Sequence, residues 1–122
     1  YSLDTTAESN NSLAASLKLE NYTVEMVFKF DTDSTLDFQR CIYQTVIFDC
    51  TCAQYTLENL LESKAYGWVK IGSSQYLSNY YYQTKLRVHY LENSKNYIKM
   101  EFSYVNMPKK SFKKLYKTQK NK

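Results

Sequence analysis

Residues 79–105 read NYYYQTKLRVHYLENSKNYIKMEFSYV, and the interpretation of the whole chain starts from this stretch. On either side of a polar loop at 92–96, apolar and aromatic residues recur at every second position, which is the period of a strand with one buried face. Two such runs joined by turn-forming residues predict an antiparallel hairpin. The inward positions are Tyr80, Tyr82, Leu86, Val88 and Tyr90, followed by Ile98, Met100, Phe102 and Tyr104.

The outward positions of this hairpin carry aromatic and basic side chains. They are Tyr81, Lys85, Arg87, His89, Tyr97 and Lys99. Aromatic rings can stack on bases while cations neutralise phosphates, as in proteins that bind single-stranded nucleic acid on a sheet. The same residue types are also ordinary on the solvated face of an antiparallel sheet. This face is therefore a candidate surface for an anionic partner, with simple solvation as the alternative.

The formal net charge of +4 conceals an uneven distribution along the chain. Residues 1–63 contain ten acidic and three basic residues, a charge of −7, whereas residues 64–122 contain two acidic and thirteen basic residues, a charge of +11. Such a separation affects partners and their approach more than it affects the fold. We expect the basic half to contact an acidic partner, unless the two halves simply attract each other.

The segment 108–122 is a basic tail, with seven lysines and no acidic residue after Pro108. Phe112, Leu115 and Tyr116 share one helical face, so the sequence predicts an amphipathic helix that forms when a partner binds. Blocks of like charge are commonly disordered, and a frayed solubilising tail is the alternative. The candidate binding residues here are Lys109, Lys110, Lys113 and Lys114. Nucleic acid, an acidic protein surface and anionic lipid all suit such a helix.

Two further strands are predicted upstream of the hairpin. Residues 22–30 alternate between apolar and polar side chains, and the polar run 31–35 is typical of a turn. Residues 36–52 continue the alternation over a length that exceeds an ordinary strand. We therefore expect a bulge between Arg40 and Gln44, where the inward positions become polar.

The period changes after this second strand. Residues 53–65 place apolar side chains at i, i+4, i+7 and i+8, which predicts a surface helix. Gly67 suits the left-handed position that follows a helix end. Residues 68–71 predict a short strand, and Gly72 begins a turn toward the central hairpin.

These elements predict an α+β fold, with a mostly antiparallel curled sheet or partly open barrel of five to six strands. One amphipathic helix interrupts the strands in the order β-β-α-β-β-β, and the basic tail follows. Residues 1–12 are polar and aperiodic, which predicts a mobile arm before a single domain at 13–107. Residues 12–20 fit a strand slightly better than a helix. This order is compatible with an OB-like barrel, a ubiquitin-like grasp or a cystatin-like sheet.

Cys41, Cys50 and Cys52 lie in one short segment that the alternation assigns to a strand. Residues along an extended strand are badly placed for a disulfide, so we expect buried free thiols and an intracellular or organellar compartment. The acceptor pattern for N-glycosylation also occurs twice, at Asn10 and Asn21. It supports the alternative of a secreted, glycosylated interaction protein.

The motifs of common enzymes and metal sites do not occur in the sequence. His89 is the single histidine, and two glycines in the whole chain leave no phosphate-binding loop. The cysteine spacing differs from that of structural zinc sites, and the residues after Asp31 lack the glycine and glutamate of a calcium loop. We expect a protein that is not an enzyme, with no cofactor and no metal. A membrane-spanning stretch of about 18 apolar residues is also missing.

Together these patterns predict a non-catalytic binding or assembly module, a small subunit or accessory protein of a larger complex. Its sheet face rich in Tyr, Lys and Arg and its lysine-rich tail would contact an acidic protein partner. The alternatives are a single-stranded nucleic-acid-binding domain of OB type and a secreted interaction protein. Peripheral contact of the tail with anionic lipid is a further alternative.

Overall fold

The computed structural model describes residues 2–9, 11–20, 22–33, 38–80 and 82–122. Eight β-strands and two α-helices lie within these ranges. In chain order the elements are β1 (Ser2–Ser9), β2 (Ser12–Lys18), β3 (Thr23–Asp33), β4 (Phe38–Asp49), α1 (Ala53–Glu62), β5 (Val69–Gly72), β6 (Gln75–Ser78), β7 (Thr84–Tyr90), a 3-10 turn (Leu91–Asn93), β8 (Tyr97–Tyr104) and α2 (Lys109–Lys120).

The eight strands of this region form one antiparallel sheet in the order β1-β2-β3-β4-β8-β7-β6-β5. Strands β1 to β4 form one meander and strands β5 to β8 form another, and the two join where β4 pairs with β8. The chain leaves β4 in the middle of the sheet and continues at the edge strand β5, so α1 crosses one face between them. The sheet is open, with β1 and β5 at its edges.

The hairpin predicted from residues 79–105 is confirmed as β7 and β8, with Arg87 opposite Glu101. Strand β7 begins only at Thr84, so the tyrosines at 80 and 82 precede it. Gln83 explains where the strand starts, because its side chain is buried and its Nε2 donates to the backbone oxygen of Val105 at 2.7 Å. This bond ties the beginning of β7 to the segment that follows β8.

The bulge predicted in the second strand is also present, in β4. Lys29 pairs with Tyr43, but the next residue of β3, Phe30, pairs with Cys41. Ile42 is therefore an extra residue on β4. A bulge of this kind bends a long strand, which is why β4 can extend over twelve residues in a curved sheet.

The predicted fold class, with five to six strands in the order β-β-α-β-β-β, is wrong. Four strands precede α1, four follow it, and α2 ends the described chain. Residues 2–9, predicted as part of a mobile arm, form β1 and pair with β2. Residues 3–6 of this edge strand are exposed, so no buried face imposes the alternation of apolar residues by which strands are recognised. Strand β6 has four residues, too few for its period to be recognised.

The main core lies between α1 and one face of the sheet. It contains Val24, Val46, Ala53, Leu57, Leu86, Val88, Ile98 and Met100. Leu86 and Ile98 have no exposed surface, which matches the inward positions that alternation assigns to them. Burial of these apolar side chains is the main stabilising contribution in this part of the molecule. No helix in the described ranges is long and apolar enough to cross a bilayer.

Helix α2 covers the opposite face of the sheet near its edge. Leu77 pairs with Lys85 and therefore points away from the core that contains Leu86. Leu77 is nevertheless only 3% exposed. Because α2 packs against β5 and its Phe112 is fully buried, α2 covers this part of the sheet. The basic tail is thus a docked helix in the unbound chain.

The expectation of three free thiols is wrong for two of the cysteines. Cys50 and Cys52 form a disulfide, with their Cα atoms 5.1 Å apart, and Cys41 is free. Strand β4 ends at Asp49, so the bonded pair lies in the turn before α1 and not on an extended strand. A turn brings the two side chains together, whereas a strand would not. The expectation of an intracellular or organellar compartment rested on free thiols, and the Cys50–Cys52 disulfide removes that support.

Candidate binding surfaces

A cleft of about 500 Å³ opens on the sheet face that α1 covers. Apolar residues of β4 and β8, including Val46, Phe48 and Met100, form its floor, and Leu60 of α1 lines one wall. Helix α1 is about 15 Å long, whereas the twelve residues of β4 extend over about 40 Å. A helix of this length cannot cover the whole strand, and β4 residues from Cys41 to Phe48 line the cleft.

Aromatic rings surround this cleft. Tyr66 stacks on Trp68 with ring centroids 6.1 Å apart and meets Tyr80 edge to face at 5.2 Å. Trp68 also lies 6.1 Å from Phe102 on the floor. Tyr66, Tyr80 and Tyr82 are 37%, 47% and 51% exposed, so they form a rim that is open to solvent. Arrangements of this kind provide both stacking and apolar contact.

The loop that carries Tyr66 and Trp68 is held from both sides. Ser78 Oγ donates a hydrogen bond to the backbone oxygen of Tyr66 at 2.5 Å. Tyr116 of α2 donates to the backbone oxygen of Gly67, also at 2.5 Å. Gly67 has φ of +59°, which a residue without a Cβ adopts without strain. The rim of the cleft is therefore coupled to α2.

The described residues that line the cleft include no charged side chain. Some of its hydroxyl groups are already bonded, since Ser78 binds Tyr66 and Thr56 Oγ1 donates to the backbone oxygen of Cys52 at 2.9 Å. The indole Nε1 of Trp68 differs from them, because it is buried and has no acceptor among the described residues. Because this atom has less than 1 Å² of exposed surface, it lies beside the cleft and does not face its open volume.

Sequence reasoning assigned the rim and floor of this cleft to the core. Tyr80 and Tyr82 were expected inward, and Phe102 and Tyr104 were expected to pack there. All four line the cleft, and of them Phe102 also packs against the core as predicted. The available signal was compositional, because thirteen tyrosines in 122 residues are more hydroxyl-bearing rings than a small core accommodates.

The predicted binding face of the hairpin is assembled on the other side of the sheet. Lys85, Arg87 and His89 alternate along β7, and Lys99 pairs with His89. Arg87 is exposed, whereas Lys85, His89 and Lys99 are half-buried. Tyr97 is also half-buried and pairs with Asp49 of β4. Tyr81, Asn10 and Asn21 lie outside the described residues.

A carboxylate lies at the centre of this hairpin face. Glu101 is opposite Arg87 and 3.6 Å from Nε2 of His89. It also accepts a hydrogen bond from the hydroxyl of Tyr43. This bond lowers the pKa of Glu101 and, with burial, raises the pKa of Tyr43 to about 12. Part of the positive charge on this face is therefore offset within the protein.

The lysines of α2 form a more uniform surface. Lys109, Lys110, Lys113, Lys114, Lys117 and Lys120 are all exposed. At 100° per residue they lie within an arc of about 140°, which excludes Phe112 and ends beside Tyr116. None of them pairs with an acidic residue in the described part of the chain. We call these six residues the lysine stripe, and it extends over about 17 Å.

No family model, curated protein or solved structure matches this chain.

Proposed function

We propose that the protein is a non-catalytic binding module that docks on an acidic surface of a protein partner through the lysine stripe. The observation that carries this proposal is the arrangement of six exposed lysines on one side of a docked helix. Opposite charge on a partner accelerates encounter and sets the orientation of docking.

The anchoring of α2 supports this proposal. Phe112 is fully buried and Tyr116 bonds to Gly67, so the helix is ordered before any partner arrives. A disordered tail would lose backbone entropy on binding, whereas this helix does not. The spacing of its charges is also constant, which suits a structured acidic surface.

The hairpin face has a smaller part in the proposal. Arg87 is exposed and can add to the positive field, but Glu101 beside it repels phosphate and carboxylate groups. A single-stranded nucleic acid laid along this face would meet that negative charge. The nucleic-acid alternative is therefore less well supported than the docking of α2 on protein.

The disulfide favours a second part of the sequence-based prediction, the secreted interaction protein. Disulfides persist in oxidising compartments and are rare in the cytosol. Cys50 and Cys52 are bonded here. Electrospray mass measurement of native material, with and without thiol alkylation, would test it: an alkylated Cys50 or Cys52 would contradict secretion of the folded form.

The docking proposal is tested with poly-glutamate as the acidic probe and fluorescence anisotropy as the readout. We compare the native chain with Lys113→Glu/Lys117→Glu on the stripe and with Lys18→Glu/Lys95→Glu, two exposed lysines elsewhere. Both double variants carry the same net charge. We expect the stripe variant to bind poly-glutamate about tenfold more weakly than the native chain, and the control variant to bind like the native chain. The affinities of the native chain and of the control variant should fall as the salt concentration rises.

Three outcomes would contradict the proposal. Equal weakening in the two double variants would mean that only net charge matters. Affinity that does not change with salt would exclude the electrostatic mechanism. Tighter binding to a single-stranded oligonucleotide or to phosphatidylserine vesicles than to poly-glutamate would assign the stripe to nucleic acid or to lipid.

A further inference from the structure

We infer that the Cys50–Cys52 disulfide is a thiol–disulfide exchange site, which accepts two electrons from an accessible dithiol of a protein or peptide. The site lies in the turn between β4 and α1, and its residues do not belong to the lysine stripe. Each chain reacts once until another disulfide reoxidises it, so the exchange adds a reactive group to a binding module. The docking proposal and this one can therefore fail separately.

The Cys50–Cys52 bond contributes little to the stability of the fold. It joins residues only two positions apart in the chain. The entropy that a disulfide removes from the unfolded chain grows with the length of the loop that it closes, so a loop this short gains least. Stabilisation of the fold is therefore a poor explanation for this pair.

Backbone hydrogen bonds and apolar packing hold the turn independently of the sulfur atoms. The amide of Cys50 donates to the backbone oxygen of Asn96 at 2.9 Å, and the amide of Ala53 donates to the backbone oxygen of Cys50 at 3.2 Å. Ala53 and Leu57 of α1 are buried in the core. These contacts do not require the S–S bond, so we expect the reduced chain to stay folded.

The two cysteines lie in a turn at the surface. Cys50 and Cys52 are each half-buried, and their neighbours Asp49 and Thr51 are exposed. Cys50 also packs against the core, whereas Cys52 begins α1. Exchange requires access of a thiolate to one sulfur atom, and exposed disulfides are the labile ones. We therefore assign the attacked sulfur to Cys52 and the leaving sulfur to Cys50.

The start of α1 stabilises the thiolate of Cys52 in the reduced chain. Cys52 is the N-cap of this ten-residue helix, and its side chain makes no cap hydrogen bond. The first turn of α1, which the structure describes in full, carries no acidic residue. The amino end of a helix carries partial positive charge, which favours an anion at this position. The Cys52 thiolate is therefore a good leaving group when a mixed disulfide resolves.

The reaction consists of two successive exchanges. A thiolate of the dithiol attacks Sγ of Cys52, the Cys50–Cys52 bond breaks, and its electron pair goes to Sγ of Cys50, which takes up a proton. The second thiolate of the dithiol then attacks the dithiol's own sulfur in the mixed disulfide, and Cys52 leaves as a thiolate. The dithiol loses two electrons and two protons and becomes a disulfide. One of these protons is on Cys50, and the other goes to solvent.

The oxidised, folded full chain is tested first, with reduced glutathione and with a reduced peptide that contains Cys-Gly-Gly-Cys. Samples are quenched in acid, alkylated and analysed by mass spectrometry, and circular dichroism reports whether the chain stays folded. We expect reduction of the bond in buffer to proceed within about tenfold of its rate in urea, because access does not require unfolding. The peptide should gain one disulfide for each chain that is reduced.

Two single variants test the roles of the sulfur atoms. Cys50→Ser leaves the Cys52 thiol, and Cys52→Ser leaves the Cys50 thiol as its matched control. We expect oxidised glutathione to form a mixed disulfide with Cys50→Ser about tenfold faster than with Cys52→Ser at neutral pH, because the helix start favours the Cys52 thiolate. Peptide mapping distinguishes both positions from Cys41, which is a free thiol in the native chain.

Reduction at the expected rate with the fold retained supports the site. Reduction more than about tenfold slower in buffer than in urea would overturn it, because the bond would then open only on unfolding. Loss of the fold on reduction, or no disulfide in the peptide, would also overturn it. Equal rates in the two single variants would overturn the role of Cys52. The stripe variant Lys113→Glu/Lys117→Glu should exchange like the native chain, so failure of the docking proposal leaves this result interpretable.

Discussion

The two faces of the strands β4, β8 and β7 differ in charge and in burial. On the side of α1, Val46, Met100 and Leu86 lead from a closed core into an uncharged cleft. On the other side the hairpin carries Arg87 and Glu101, which lie opposite each other. The charges on the outward face are therefore partly offset by one another, whereas the aromatic rings on the side of α1 are only partly covered by the helix.

The two helices differ in the same way, one in apolar contacts and the other in exposed charge. Helix α1 buries Ala53 and Leu57 and leaves part of its face of the sheet uncovered. Helix α2 buries Phe112 and presents lysines to solvent. One helix therefore helps to shape a concave apolar site, and the other carries a convex charged surface. Tyr116 connects them through Gly67 at the rim of the cleft.

The largest expected effect comes from adjacent residues on opposite faces. Leu86→Ala should lower the free energy of unfolding by about 2–5 kcal/mol, because Leu86 has no exposed surface and its removal leaves a cavity. Arg87→Ala should change it by less than about 0.5 kcal/mol, since Arg87 is exposed. Denaturation in urea measures both. Similar losses for the two variants would mean that the faces are not distinct.

A smaller effect is expected where α2 meets the rim of the cleft. Gly67→Ala should cost about 1–2 kcal/mol, because φ is +59° and a Cβ would lie 2.9 Å from the hydroxyl of Tyr116. Gly72→Ala is the control, since the nearest heavy atom there is 4.0 Å away. Its effect should stay within about 0.5 kcal/mol. Urea denaturation measures the free energy of unfolding of both variants. Equal losses in Gly67→Ala and Gly72→Ala would contradict the contact between the rim of the cleft and α2.

The smallest effect concerns the charged face. Tyr43→Phe removes the hydrogen bond to Glu101, so the pKa of Glu101 should rise toward its usual value. A lowered pKa stabilises the fold above the pKa of the unfolded chain, and this contribution is lost as pH falls through the folded value. The variant should therefore lose about 1 kcal/mol near neutral pH and less at about pH 3.

The alkaline side gives an independent check of the same bond. The pKa of Tyr43 is raised to about 12, so its contribution is present below the usual tyrosine pKa and is lost as pH rises through about 12. Carboxyl NMR of Glu101 and denaturation at several pH values measure these changes. Tyr55→Phe is the control, because Tyr55 is 69% exposed. An unchanged Glu101 titration in Tyr43→Phe would contradict the assigned cause.

Some elements could be predicted because their signal is local. The alternation around Leu86 and Ile98 identifies two strands and their inward sides, and the polar inward positions near Ile42 identify the bulge. Strand β1 could not be predicted in this way, because its exposed residues carry no buried pattern. The disulfide could not be predicted because it depends on where β4 ends.

The sequence by itself determined which face of the sheet each side chain of β7 and β8 takes, because the two-residue repeat of a strand is a property of neighbouring residues. It also determined the lysine-rich composition of α2. Only the tertiary structure decided that the inward face is partly open, since this depends on the length of α1 relative to β4. The docking of Phe112 was likewise decided there, because α2 packs against β5, which is remote in the chain.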